Sequence, residues 1–444
     1  MALYYRFFLT TVVLLCPAVA VCGQEVSPGD LTAEEQTVPA EEQKVLQDSA
    51  ADSQQGGRIV EGRPSFYSFK QAIHPLTWLG AAPKPIVRSV ENGRIQGLIA
   101  KKSDSAKTSG ISFGVGSVGP SSGFGPQVTL FKKDFLGHGI NFELPLVYTY
   151  NRYELYQFTA TVPLASETFV KRLAFDFGTS YSSRSSDSFF GIGNDTPRDD
   201  EVRVRTVSRE ATVGVSAKLN DNWNTGAHLR YRRVGVTNPL TGTSAQKEFA
   251  GLAVPGLFNG GDLASLVFSV ARNTESTENN SFRGGRDEFE LSFNEGGDSF
   301  GYWRYRFNSR HFFPVSDDGR KVIAARGFLE TNRTIPGHSI PFFDMPTIGS
   351  LSTVRGFENF RFRDNSALAF SLEYRYRIWP WMDWGLFLDE GQVAPRLRDF
   401  GLSRFHTGYG ARLFFWPKSN LPISVDLGRS RESWLLYLNI NPNF

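Results

Sequence analysis

The residues in this chain best placed to act together chemically are one arginine and two carboxylates. Arg355 lies in Val354-Arg355-Gly356-Phe357, inside a loop of over thirty residues. Glu373 and Asp389 follow on two segments in which apolar and polar residues alternate. Side chains two apart on a strand share a face, so both carboxylates fall on the polar side of their segments. A loop guanidinium reaching them in a partly dehydrated interior forms charge-assisted, bidentate bonds, which is the chemistry of a clamp. Other spacings carry less. Gly114-Val115-Gly116-Ser117-Val118-Gly119 matches a dinucleotide fingerprint, but Pro120-Ser121-Ser122-Gly123 follows where a helix N-terminus would have to hold the phosphate. Gly297-Asp298-Ser299-Phe300-Gly301 matches a hydrolase elbow, yet an alternating strand follows it instead of a helix. The histidines His74, His138, His228, His311, His338 and His406 are scattered without metal-ligand spacing. The expectation is a non-enzymatic protein with no catalytic residue, no metal and no cofactor.

The elements that would position the clamp are strands. Among 444 residues aromatic residues are abundant and glycine frequent, while methionine and cysteine are scarce, a profile that suits many short strands better than helices. A net charge of +3 gives no basic footprint for nucleic acid, so none is expected as a partner. Residues 1–23 read as a signal peptide: Arg6 precedes an apolar run from Phe7 to Val21 that is too short to span a bilayer comfortably. Cleavage fits after Ala18-Val19-Ala20 or after Gly23. Cys16 and Cys22 both lie in this segment, which leaves no thiol framework after cleavage following Gly23. Residues 24–57 are acidic and nearly free of large apolar side chains, and read as a disordered leader. Residues 58–108 contain short amphipathic patches broken by prolines and read as a periplasmic segment with one or two short helices.

From about Ser109 to Phe444 the period is two. Ile140, Phe142, Leu144, Leu146, Tyr148 and Tyr150 alternate with Asn141, Glu143, Pro145, Val147 and Thr149, and Leu368 to Ile378 repeats the pattern. Short turns such as Asn220-Asp221-Asn222 alternate with long connections such as that between Thr237 and Asp262. Short turns at one end and long loops at the other indicate an all-β transmembrane barrel over residues 109–444, in which Trp379, Trp381, Trp384, Trp416 and Trp434 suit interfacial girdles. Counting segments gives about 16 antiparallel strands, roughly 21 residues each with their loops. Pro145 sits mid-strand without an N–H donor, and a bulge is expected there. Lumenal arginines, among them Arg304, Arg306, Arg375, Arg377 and Arg412, would favour anions in an open pore or pair with acids across the lumen.

The Val354-Arg355-Gly356-Phe357 loop, followed by Phe387-Leu388-Asp389-Glu390-Gly391, resembles the signature of the BamA/TamA outer-membrane assembly-factor (bacterial surface antigen) superfamily. Phe189-Phe190-Gly191-Ile192-Gly193-Asn194-Asp195-Thr196 and the terminal Phe444 look familial as well. The resemblance implies a sixteen-stranded barrel whose sixth extracellular loop folds inward. Arg355 would be its tip, Gly356 the tight turn, and Glu373 and Asp389 the wall partners, with Phe387 and Gly391 in the same wall motif. Phe444 would be the C-terminal insertion signal, although the usual glycine is missing from Asn439-Ile440-Asn441-Pro442-Asn443-Phe444. The stretch before the barrel lacks a β-α-α-β-β pattern, so this looks like a lineage without periplasmic POTRA domains.

These readings together imply a monomer in the bacterial outer membrane, in contact with its lipid, that assists insertion or translocation of client proteins or lipids. Two other classes stay open at this point. One is a porin-like passive diffusion channel selective by lumenal charge; the other is a surface-exposed structural or adhesive protein.

Overall fold

The computed structural model describes residues 108–167, 170–249, 253–278, 281–297, 300–416 and 423–440. The signal peptide, the acidic leader, the 58–108 segment up to residue 107, and Phe444 therefore lie outside the described residues. Among the described residues, sixteen strands form one antiparallel sheet, each hydrogen-bonded to the next in the chain. They are β1 (Ser109–Gly116), β2 (Gly125–Phe135), β3 (Ile140–Tyr148), β4 (Glu154–Glu167), β5 (Val170–Phe189) and β6 (Val202–Lys218). Then come β7 (Trp223–Thr237), β8 (Gly261–Asn273), β9 (Ser281–Gly296), β10 (Phe300–Pro314) and β11 (Lys321–Thr334). The last five are β12 (Ser366–Trp379), β13 (Met382–Ala394), β14 (His406–Phe415), β15 (Ile423–Ser430) and β16 (Trp434–Ile440). A short strand, Ser276–Glu278, extends the hairpin between β8 and β9.

Alternation sets which residues face inward, and the sheet is apolar on the outside. On β12, Leu372 is 54% exposed while its neighbour Glu373 is 0% exposed. Ser371 and Arg375 are buried with Glu373, whereas Phe370 joins Leu372 on the exposed face. A water-soluble sandwich hides its apolar face; a wall that shows it to the outside and buries carboxylates is built to face lipid.

The sheet is rolled. Arg198, in the loop after β5, donates to the Glu432 carbonyl before β16 at 2.9 Å. In a flat sheet the strands between these loops would hold them roughly 45–50 Å apart, given about 4.8 Å per strand. Connections at one end are short, such as 136–139, 219–222, 315–320 and 380–381, while 190–201, 335–365 and 395–405 at the other end are long. The 238–260 connection includes a single helical turn, α1 (Ala245–Glu248). At the turn end Trp379 and Trp381 are exposed and stacked at 5.3 Å.

Pro145 departs from expectation. Its strand keeps one register on both sides: Thr129 faces Pro145 toward β2, and toward β4 the ladder lapses at Leu144 and Pro145 and resumes at Leu146 in the same register. The chain tolerates the absent donor by omitting ladder bonds, without inserting an extra residue. A register shift does occur in this region, but between Lys132 and Phe135.

The buried apolar residues gather where the 335–365 loop meets the inner wall. Phe342 packs with Phe189, Val202, Val204 and Val234 of β5 to β7. Ile348, Val354, Phe357 and Phe362 pack with Ala367, Ala369 and Val393 of β12 and β13. Ile340 and Met345 pack with Leu263, Phe300 and Tyr302. The core of this molecule is thus a folded loop pressed into a polar-lined interior.

Candidate functional site: a loop tip fastened to the inner wall

Within the 335–365 loop the chain must bend sharply to present an arginine sideways to the wall. Gly356 supplies the bend, with φ of 90°, and a Cβ there would lie 2.6 Å from the Arg429 carbonyl carbon. Its N–H donates to the Tyr437 hydroxyl at 2.8 Å, and its carbonyl accepts from Ser430 Oγ at 2.6 Å and Ser433 Oγ at 2.8 Å. The wall beneath is smooth because it is glycine. A Cβ at Gly391 would meet Val354 at 2.6 Å, and one at Gly408 would meet the Arg355 carbonyl at 2.0 Å. The tip therefore lies directly against the backbone of β13 to β15.

Arg355, 2% exposed, uses its fork fully. Nε donates to Asp389 Oδ2 at 2.7 Å and Nη2 to Oδ1 at 2.8 Å, a bidentate pair, and the Arg355 backbone N–H donates to the same Oδ2 at 3.0 Å. Nη1 donates to Glu373 Oε2 at 3.1 Å and Nη2 to Ser371 Oγ at 3.1 Å. The guanidinium plane rests on the Phe387 ring, 3.4 Å from its centroid. Phe357 turns away into the apolar cluster, against Phe362 and His406. The structure thus brings together Val354, Arg355, Gly356, Phe357, Glu373, Phe387, Asp389 and Gly391.

The carboxylates serve more than Arg355. Glu373 also accepts from Arg375 Nε at 2.6 Å and pairs with Arg412 Nη1 at 3.0 Å. Arg412 makes a second bidentate pair with Asp426, at 2.7 and 2.5 Å, and Asp426 lies 3.6 Å from Arg355 Nη1. Three guanidinia and three carboxylates, all buried, form one electrically neutral network. Neutrality matters, because an uncompensated buried charge costs several kcal/mol.

A second anchor lies in Pro341-Phe342-Phe343-Asp344-Met345-Pro346, where a 3₁₀ turn buries Asp344. Its carboxylate accepts from Arg232 on β7 and from the Tyr302 hydroxyl on β10, with Arg304 Nη2 at 3.4 Å. Its carbonyl accepts from Arg304 Nη2 at 3.0 Å and Asn332 Nδ2 at 2.9 Å. Burial pushes the Asp344 carboxyl up, but the guanidinia of Arg232 and Arg304 outweigh it and hold the group well below the usual carboxylate range.

The Phe189 to Thr196 motif joins this assembly at the loop end. The Gly193 N–H donates to the Arg363 carbonyl at 2.7 Å, and Arg361 donates to Thr196 Oγ1 at 3.0 Å and to its carbonyl at 2.6 Å. Arg361 also pairs with Glu432 at 2.8 Å and stacks over Phe190 and Phe362. Asn194 bridges to the Arg404 carbonyl at 3.0 Å and accepts from the Val393 N–H at 2.9 Å.

Sequence reasoning missed Asp344 with Arg232 and Tyr302, and it missed Asp426, Ser371 and Tyr437. Asp426 carried a usable signal: it alternates with Val425 and Leu427, so parity alone puts it on the inner face.

The fold has a known counterpart. BamA from Haemophilus ducreyi lacking POTRA domains 1-3 is similar in fold at 17% identity, over 84% of this chain and 77% of that one, with a TM-score of 0.55. CdiB from Acinetobacter baumannii matches at 13% identity over 79% of this chain and 64% of that one (TM-score 0.47). CdiB from Escherichia coli matches at 15% identity over 79% and 67%, with a TM-score of 0.48. A search of curated proteins returned no match. The Omp85 superfamily domain matches residues 134–428, well over half of the chain, and the chain belongs to the Omp85 superfamily.

Proposed function

We propose that this protein is a monomeric, non-enzymatic barrel of the bacterial outer membrane that assists insertion or translocation of client proteins or lipids, with the 335–365 loop clamped as a lumenal plug. Membership in the Omp85 superfamily supports an outer-membrane protein insertion or translocation role. The observation that carries the reading is the buried bidentate pair of Arg355 with Asp389, which fastens a Val-Arg-Gly-Phe tip inside such a barrel. A porin-like channel needs a clear lumen, and here the loop's apolar and charged side chains occupy the inner wall along β5 to β7 and β12 to β15. The mechanism in this reading is mechanical: a stiff, plugged wall disturbs the surrounding lipid while the lumen stays blocked.

A folding assay tests it. Liposomes containing the full chain should fold a urea-denatured client barrel several-fold faster than liposomes containing an unrelated barrel at equal protein-to-lipid ratio, read as heat-modifiable gel mobility. Equal rates in the two preparations would remove the assembly reading.

A further inference from the structure

Between the loop-end carboxylates Asp262 and Glu295 and the turn end, the lipid-facing side of β8 to β10 is apolar down to one polar cluster. On β10, Trp303, Tyr305, Phe307 and Phe313 are exposed outward, and by alternation Ser309 and His311 share that face. In the ladder Asp287 on β9 faces Ser309, and Arg272 on β8 faces Asp287, so four polar side chains lie together among exposed aromatic rings. Ser309 Oγ donates to Asp287 Oδ1 at 2.7 Å, and His311 Nε2 bonds the same oxygen at 2.9 Å. Among the described residues no hydrogen bond is made to Oδ2, and the exposed Arg272 lies within electrostatic reach of Asp287 without closing a direct ion pair to it. Gly285 makes the seat: a Cβ there would lie 2.1 Å from His311 Nδ1, so only a bare backbone lets the imidazole lie across β9. Phe313 covers the other side of the ring at 6.1 Å.

Depth gives this cluster its meaning. Trp223, exposed on β7, faces Arg272 across the ladder, and Phe313 is the last outward aromatic before the turn. The cluster is therefore level with the turn-side girdle, where acyl chains give way to headgroups. At that depth a charge on the lipid face costs little, so Arg272 and Asp287 can be held there to meet headgroups.

We propose that Arg272, Asp287, Ser309 and His311 form a headgroup site for an aminophospholipid of the turn-side leaflet. The phosphate pairs with Arg272, and the primary ammonium donates to Asp287 Oδ2, with Ser309 and His311 holding the carboxylate in place. Arg272 and Asp287 are cross-strand partners on backbones about 4.8 Å apart, which keeps cation and carboxylate within the reach of one two-carbon ethanolamine headgroup. A quaternary ammonium has no N–H for Asp287, and a glycerol headgroup has no cation, so the site distinguishes lipids that all carry phosphate. The site goes beyond the assembly reading and depends only on this wall facing lipid.

Native mass spectrometry of the delipidated full chain, titrated separately with dioctanoyl phosphatidylethanolamine, phosphatidylcholine and phosphatidylglycerol, tests this. The ethanolamine lipid should give a single adduct at about tenfold lower concentration than the other two, the worth of one charge-assisted bond. Arg272→Gln should weaken all three, and Asp287→Asn should erase the preference. Equal adducts with the three lipids in the wild-type protein would overturn the site whatever the variants do. So would a preference that survives Asp287→Asn.

Discussion

Glu373 is the residue on which the inner wall turns, because its two oxygens answer three guanidinia, those of Arg355, Arg375 and Arg412. Removing Arg355 alone would leave Asp389 with a buried negative charge; removing Glu373 would leave three cations facing two anions. Breaking a buried network by removing one member costs about 3–5 kcal/mol, because the remaining charges cannot reach water. Glu373→Gln is therefore expected to lower the barrel's unfolding free energy in urea by about 3 kcal/mol. Equal urea midpoints for the two proteins in the same liposomes would show that the network is already solvated and contradict the geometry. At this scale the sequence was partly legible. Parity puts Glu373 and Asp389 on one face, and the resemblance ties Arg355 to them. It does not bring Asp344 to Arg232 and Tyr302, because those three come from a loop and two strands that only the rolled sheet makes neighbours.

Among the elements, the 335–365 loop is held at two places along the wall and closed over by a third set of contacts. The tip is fixed to β12 to β16, the Asp344 turn to β7, β10 and β11, and Arg361 ties the loop to Thr196 and Glu432. The Asp344 anchor has a definite pH signature. Its folded carboxyl is held below its ordinary value, so its stabilisation is complete above the unfolded value, near ~3.9, and is lost only as pH falls through the lower folded value. Cleavage of the loop by added protease should thus be unchanged from pH 7 to pH 5, while Asp344→Asn should speed it at pH 7. Cleavage that climbs between pH 7 and pH 5 in the wild-type protein would contradict this anchor. Pro145 gives the opposite lesson about legibility. A missing N–H is plain in the sequence, but whether a strand answers with a bulge or with omitted ladder bonds depends on its neighbours, and here β4 simply goes without.

At the scale of the whole molecule, the fold was the most legible feature, since a two-residue period with apolar residues outward leaves few arrangements besides a membrane barrel. The strand count also follows from alternation and turns, as does the contrast between short turns and long loops. Rolling is another matter: it is written in long-range contacts such as Arg198 with Glu432, which no local pattern announces. Between β16 and β1, among the described residues, no ladder bond joins the two strands, and β1 presents Ile111, Phe113 and Val115 outward, Phe113 at 75% exposure. The 335–365 loop packs against the inner wall of β5 to β7 and of β12 and β13, so the plug proposed above implies a molecule that resists ion flow as long as Arg355 is seated.

Single-channel conductance in planar bilayers, wild type against Arg355→Ala, tests this most directly. A clamped plug gives a wild-type barrel that is nearly closed and a variant that opens in large steps; steady, equal conductance from both would contradict the clamped plug.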